Sequence, residues 1–249
     1  MFTDTHCHIF KEYYSNIDEV LEQSKNVGIS RVINNGCSHK SNQEILELIE
    51  KYPNMYGALG IHPEVVDTYQ EQELDFIIKH LNNSKVIAIG EIGLDYHYTK
   101  ENKDKQIMLF SKQLEIAEKY NLPVIIHSRD ATEDTIETLK KYHVRGVIHS
   151  FSGSLETAKI YLKMGFALGV NGVITFKNAK LKDVIKEIDL KYLLLETDSP
   201  YLTPEPFRGK TNYPGNVSII ADFICNLNDI SREELAFITN QNIKRIFDI

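Results

Sequence analysis

Cysteine is scarce in this chain of 249 residues: only Cys7, Cys37 and Cys225 occur. An odd number at wide spacing, with no CxxC pair, excludes a disulfide framework and a zinc ribbon. It suits a reducing compartment. No stretch approaches the ~18 uninterrupted apolar residues of a membrane-crossing helix, and the start Met1-Phe2-Thr3-Asp4 lacks a basic segment followed by an apolar one. The expectation is a cytoplasmic protein without membrane contact. Basic residues are in the minority: Lys and Arg total 28 against 35 Asp and Glu, a net charge of −7. That argues against coating nucleic acid through a general basic field. It leaves room for gripping single phosphates, because bound divalent ions supply local positive charge. There is no GxSxG elbow and no Walker loop, so neither of those nucleophile or phosphate devices is in play. Low-complexity tracts, Gly/Ser linkers and short repeats are also missing.

What is present is an ordinary globular composition, 42% hydrophobic and 25% charged, long enough to bury a large core without staples. Short apolar runs alternate with longer amphipathic stretches. The runs Met1–Thr5, Arg31–Asn34, Met55–Leu59, Val86–Gly90, Pro123–His127, Gly146–His149, Phe166–Val170 and Tyr192–Glu196 read as strands. Residues 17–27, 42–51, 73–81, 103–120, 131–142, 155–164 and 179–188 carry apolar residues at helical spacing. Residues 218–228 give an eighth helix and 232–247 a further one that closes the chain. Strand–helix alternation implies right-handed βαβ units and a parallel sheet. Eight strands suit either a doubly wound sheet or a closed barrel. An open sheet gathers its ligands at one switch point, whereas here polar residues end many different strands, as the mouth of a barrel requires. The expected fold is therefore a single-domain (β/α)8 TIM barrel over residues 1–249, with an extra C-terminal helix.

The strand ends carry the chemistry. The first reads Asp4-Thr5-His6-Cys7-His8. Residues two apart project to one face of a strand, so His6 and His8 can reach one ion while Cys7 turns away. Strand four ends in Glu91, a carboxylate suited to bridging two cations; taken alone, a helix cap or a solvated charge would be the better explanation. Strands five and six each end in His-Ser, at His127-Ser128 and His149-Ser150. Two such endings beside a histidine pair are hard to explain by packing, since clustered neutral imidazoles would leave polar groups unsatisfied. Strand eight ends Glu196-Thr197-Asp198. Asp198 is placed to ligate and to take a proton from water acidified by the ion. Glu196 sits deeper, where it orients a ligand. The rival reading of Asp198 is an N-cap for a turn opened by Pro200. Two overlapping sets result, His6, His8, Glu91 and Asp198 in one, Glu91, His127 and His149 in the other. Two ions sharing Glu91, about 3.5–4 Å apart, suit displacement at phosphorus. His62, which follows strand three in Gly60-Ile61-His62-Pro63, is open between substrate contact, structure and ligation.

These segments, together with Gly90-Glu91-Ile92-Gly93-Leu94-Asp95-Tyr96, Leu122–Arg129, His149–Gly153, Glu196–Leu202 and Arg208-Gly209-Lys210-Thr211-Asn212-Tyr213-Pro214, resemble the TatD family of metal-dependent deoxyribonucleases, within the wider amidohydrolase-like barrel hydrolases. They follow the family's order and cover nearly the whole chain. The resemblance implies a TIM barrel, two divalent ions and hydrolysis of DNA ends, as a magnesium-assisted 3′-to-5′ exonuclease on single strands. It carries metal ligation onto His6, His8, Glu91, His127, His149 and Asp198. It also suggests that His62, Arg129 and Arg208 meet phosphate or the substrate's leaving end.

The expected activity is thus hydrolysis of an ester bond, with Asp198 and Glu91 as catalytic residues and single-stranded DNA ends as the partner. Mg or Mn would be the working ion, with Zn, Ni or Fe as other bound species. No obligate protein partner is inferred. Two rivals stand beside this: a hydrolase of an amide, lactone or aminoacyl ester using the same ions, which an acidic surface favours, and a metal-binding barrel without turnover. Tyr96, Phe151 and Tyr201 are candidates for stacking on a terminal base, though aromatics at such positions more often cover a core rim.

Overall fold

Every one of the ten residues from Val86 to Asp95 is buried, as expected for a parallel strand covered on both faces. That strand, β4 of the sequence of elements given below, is the longest in a computed structural model that describes all residues, Met1–Ile249. The strands are β1 (Phe2–Cys7), β2 (Ile29–Asn35), β3 (Met55–Leu59), β4 (Val86–Asp95), β5 (Val124–Arg129), β6 (Gly146–Ile148), β7 (Ala167–Val170) and β8 (Leu193–Leu195). They form one sheet in the order β1-β2-β3-β4-β5-β6-β7-β8, with parallel pairings. A bridge from Cys7 to Ser199 lays the chain after β8 beside the end of β1. The fold is a (β/α)8 barrel.

The helices are α1 (Ile17–Asn26), α2 (His39–Lys51), α3 (Glu71–His80), α4 (Lys103–Tyr120), α5 (Thr132–Leu139), α6 (Leu155–Lys163), α7 (Leu181–Glu187), α8 (Val217–Asn228) and the extra C-terminal α9 (Arg232–Phe247). Side chains fix several starts. Ser38, Ser154 and Ser231 accept from backbone N–H groups in the first turns of α2, α6 and α9, satisfying donors that a helix leaves orphaned. None of the helices is long and apolar enough to cross a membrane.

By proximity of the backbone the chain divides into two compact units. Unit 1 comprises Met1–Asn34 and Ser150–Ile249, and unit 2 comprises Asn35–His149. In unit 1, Leu168, Val170, Leu194, Ile220 and Leu235 are fully enclosed. There Asn242 of α9 donates to the carbonyls of Leu190 and Leu193 at 2.9 and 2.8 Å, tying the extra helix to β8. In unit 2, Ile45, Leu59, Ile89, Phe110 and Ile125 fill the interior.

The element boundaries differ from the sequence reading at instructive places. β4 runs past Gly90 to Asp95, so Glu91 lies inside the strand, and Gly93, Leu94 and Asp95 pair with His127, Ser128 and Arg129 of β5. Glycine makes this possible. A Cβ on Gly60 would meet the Gly90 carbonyl carbon at 2.6 Å, and one on Gly90 would meet Ile125 Cβ at 2.7 Å. The strands that carry the unit 2 side chains described below therefore approach more closely than side chains would allow. α2 begins three residues early, at the Ser38 capping box. α5 stops at Leu139 and α7 starts only at Leu181.

Candidate active site

In unit 1, β1 projects His6 and His8 to one side, as its two-residue period requires. Their Nε2 atoms face each other at 3.1 Å. Asp198 Oδ1 lies 3.7 Å from His6 Nε2 and 3.4 Å from His8 Nε2. The three ligand atoms are all within 4.8 Å of one another. Asp198 adopts φ 57°, a left-handed conformation that Asp tolerates better than most residues. Its backbone N–H donates to the His6 carbonyl at 2.9 Å. The chain turns at Pro200, where the Tyr201 N–H donates to the Asp198 carbonyl at 2.8 Å, and no helix follows until Pro214–Asn216.

Asp4, which the sequence reading passed over, holds this arrangement from below. It is fully buried, and its Oδ1 accepts from the backbone N–H of Thr197 at 2.9 Å and of His6 at 3.2 Å. One carboxylate thereby fixes the ends of both β1 and β8. Burial pushes its pKa well above the usual carboxylate range despite those bonds. Glu196 is also fully buried and accepts from the Ser150 N–H at 2.6 Å.

In unit 2, one oxygen of Glu91 gathers three imidazoles. Oε1 stands 2.8 Å from His127 Nδ1, 3.5 Å from His149 Nε2 and 3.7 Å from His62 Nε2. The other oxygen accepts from the Cys37 thiol at 3.8 Å. The ligand atoms of His62, Glu91 and His127 lie within 4.8 Å of one another. His62 is thus brought into the Glu91 set, with its Nδ1 accepting from the Glu64 N–H at 3.3 Å. His127 Nε2 lies 2.9 Å from Asp95 Oδ2. Burial disfavours a charged His127, but the bonds to Asp95 and Glu91 outweigh it, and its pKa rises to about 10. Asp95 is desolvated too, yet the His127 bond and the His97 N–H hold its carboxyl below the ordinary value.

Both sets fit a divalent ion by their donor chemistry. Mixed imidazole and carboxylate donors are what Zn, Mn, Fe and Ni accept, and Mg with added water. In the first set, two Nε2 atoms and a carboxylate oxygen converge within 4.8 Å of one another. In the second, a proton on His127 between two carboxylates stands where positive charge is called for.

The two arginines expected at the substrate each lie over an aromatic ring. Arg129 is exposed at the end of β5, with its guanidinium 5.5 Å from the centre of the Tyr98 ring. Arg208 is exposed on the segment after β8, 4.3 Å over the Phe176 ring. Sequence reasoning overlooked Asp4, Asp95 and Cys37. The first two stood inside quoted motifs, and their two-residue offsets from His6 and from Gly93 were a usable signal. Cys37 offered none.

A (β/α)8 barrel with histidine–carboxylate sets at its strand ends is the architecture of a metal-dependent hydrolase. Residues 3–248 match the family model described as "TatD related DNase", and the chain belongs to the TatD family. It is 44% identical to an uncharacterized metal-dependent hydrolase of Bacillus subtilis, YabD, with all of both chains covered. It is 32% identical to a putative deoxyribonuclease of Danio rerio, tatdn3, over 99% of this chain and 97% of that one. Among solved structures, the TatD homologue YjjV of Escherichia coli superposes with a TM-score of 0.94 at 32% identity, covering 100% of this chain and 98% of that one.

Proposed function

We propose that the protein is a deoxyribonuclease that removes nucleotides from the 3′ ends of single-stranded DNA, acting as one catalytic domain over residues 1–249. The carrying observation is the pair of histidine–carboxylate sets, His6/His8/Asp198 in unit 1 and His62/Glu91/His127/His149 in unit 2, in a chain of a family described as DNases. His6, His8 and Asp198 would hold one divalent ion, and Glu91, His127 and His149, with His62 beside them, a second. Such ions supply Lewis acidity, making water a nucleophile near neutral pH and offsetting charge on a phosphoryl group.

Asp198 is the group that accepts the proton of the attacking water. Its side chain is 14% exposed against 4% for Glu91, so Asp198 reaches solvent while Glu91 stays with its imidazoles. Asp4 keeps His6 and Thr197 in register and so keeps Asp198 aimed. Arg208 and His62 offset charge on the phosphate, and Arg129 meets the leaving end.

The test is metal-stripped protein reconstituted with one ion at a time and given a 3′-labelled single strand. Release of labelled mononucleotide with Mg or Mn is the expected result. Failure with every ion, alongside turnover of a lactone or amide, would move the substrate to that class.

A further inference from the structure

The acidity of this chain is not uniform. Residues 176–182 contain Lys177, Lys180 and Lys182 and no acid, and residues 203–211 contain Arg208 and Lys210 with one acid, Glu205. Both segments follow strands of unit 1, the first after β7 and the second after β8. They are built together. The Glu205 N–H donates to Thr175 Oγ1 at 2.9 Å. A Cβ on Gly172 would meet the Leu202 carbonyl oxygen at 2.2 Å, so the two backbones pack with nothing between them.

Lys182 is committed to the fold, since its ammonium donates to the Phe176 carbonyl at 2.7 Å. The other four cations are exposed, and none of them is paired with a carboxylate. Elsewhere Lys103, Lys105 and Lys112 are each paired with an acid. The free cations are interleaved with aromatic rings: Arg208 lies 4.3 Å over Phe176, and Lys210 lies 5.4 Å from the centre of Phe207. Phe207 itself is 43% exposed.

The segment after β8 is tied to the first metal set. Asn212 donates to the Tyr201 carbonyl at 2.6 Å, and the Tyr201 N–H donates to the Asp198 carbonyl at 2.8 Å. The Tyr201 ring, 51% exposed, stands 6.3 Å from the His8 ring. It also meets Tyr13, ring to ring at 6.0 Å.

From this geometry we infer that the loops after β7 and β8 form a track for single-stranded DNA. Tyr201 stacks on a base beside the metal set, and Lys177, Lys180 and Lys210 take the phosphates of the strand behind it. Cations alone would suit any polyanion. Exposed rings between them select a strand whose bases are unstacked, and so disfavour a duplex. The inference rests on the nuclease reading for its choice of ligand, and it extends that reading from the scissile bond to the rest of the strand.

The experiment is binding of a fluorescent oligothymidylate of about 20 nucleotides to ion-loaded protein, followed by anisotropy across a salt series. Phosphorothioate linkages at the 3′ end keep the probe intact. Each phosphate contact contributes about 0.7 to the slope of log affinity against log salt for single strands. Lys177→Ala/Lys180→Ala/Lys210→Ala should lower that slope by about 2. Lys25→Ala/Lys79→Ala/Lys119→Ala removes the same charge from exposed positions on α1, α3 and α4 and should leave the slope unchanged. Tyr201→Ala/Phe207→Ala should weaken binding about fivefold or more without altering the slope. An unchanged slope in the first variant, or an equal fall in the control, overturns the track. The nuclease reading fails differently: the strand binds with the full slope, yet no ion supports release of nucleotides from an unprotected strand.

Discussion

His127 Nδ1 stands 2.8 Å from Glu91 Oε1, a contact that joins the imidazole of β5 to the carboxylate of β4. With Asp95 on the other ring nitrogen at 2.9 Å, the ring sits between two acids. In metal-free protein its pKa is raised to about 10, because the bonds to both acids outweigh its burial. The folded value lies above the ordinary 6.5. The stabilisation is therefore complete below about pH 6.5 and is lost as the pH climbs through about 10. Melting of the metal-stripped protein should decline over that window. A divalent ion replaces the proton, so loading at pH 7 should release about one proton from this ring. Calorimetric titration of metal in buffers of different ionisation enthalpy measures the release. Heats that do not depend on the buffer would show that no proton is displaced.

Asp95 supports that ring without belonging to the sets expected from sequence. By accepting from Nε2 it fixes the tautomer and leaves Nδ1 turned toward Glu91. Removing such a partner costs roughly 10- to 100-fold in metal affinity. Asp95→Asn should lose about that much for one of two ions, with the fold retained. Competition against a chromogenic chelator resolves the two affinities, and two unchanged constants would remove Asp95 from the role.

The role given to Asp198 has a backbone component. At φ 57° alanine would add strain, whereas asparagine tolerates the conformation nearly as well as aspartate. Asp198→Asn therefore isolates the chemistry. It should melt within a degree or two of the parent yet lose roughly 10²- to 10⁴-fold in turnover, the range that a positioned acid–base group supplies. Undiminished kcat would assign proton transfer to another group.

The strand count, helix order and most strand ends could be read from the chain because each apolar run is short and each helix is amphipathic. Those two periods fix a βα alternation regardless of tertiary detail. The convergence of His6 with His8, and of His127 with His149 at Glu91, followed from the same alternation. Three things lay outside it. β4 overruns Gly90 because glycines at 60 and 90 let neighbouring backbones close in, and no periodicity records a missing side chain. His62 joins Glu91 through a turn opened by Pro63, whose direction a sequence does not reveal. Cys37 reaches Glu91 from the loop before α2, where loop geometry, not strand period, decides the partner.

Gly169 illustrates the same hidden constraint and gives a stability test. It lies in β7, and a Cβ there would stand 2.1 Å from Glu196 Oε2 and 2.6 Å from Glu196 Cδ. Glu196 cannot swing into solvent, because it is fully buried. It also holds the Ser150 N–H at 2.6 Å, in a residue whose hydroxyl accepts from Asn171. Gly169→Ala must therefore push the carboxylate off Ser150 or bend β7. Overpacking of this kind costs about 1–3 kcal/mol, and the lost hydrogen bond to Ser150 adds to it. Shortening the acid should relieve the clash, so the double variant with Glu196→Asp should cost less than the sum of the two single changes. Denaturant titration of the four proteins measures that difference. Strict additivity would mean that the methyl group is accommodated elsewhere and that Gly169 is not there to make room for Glu196.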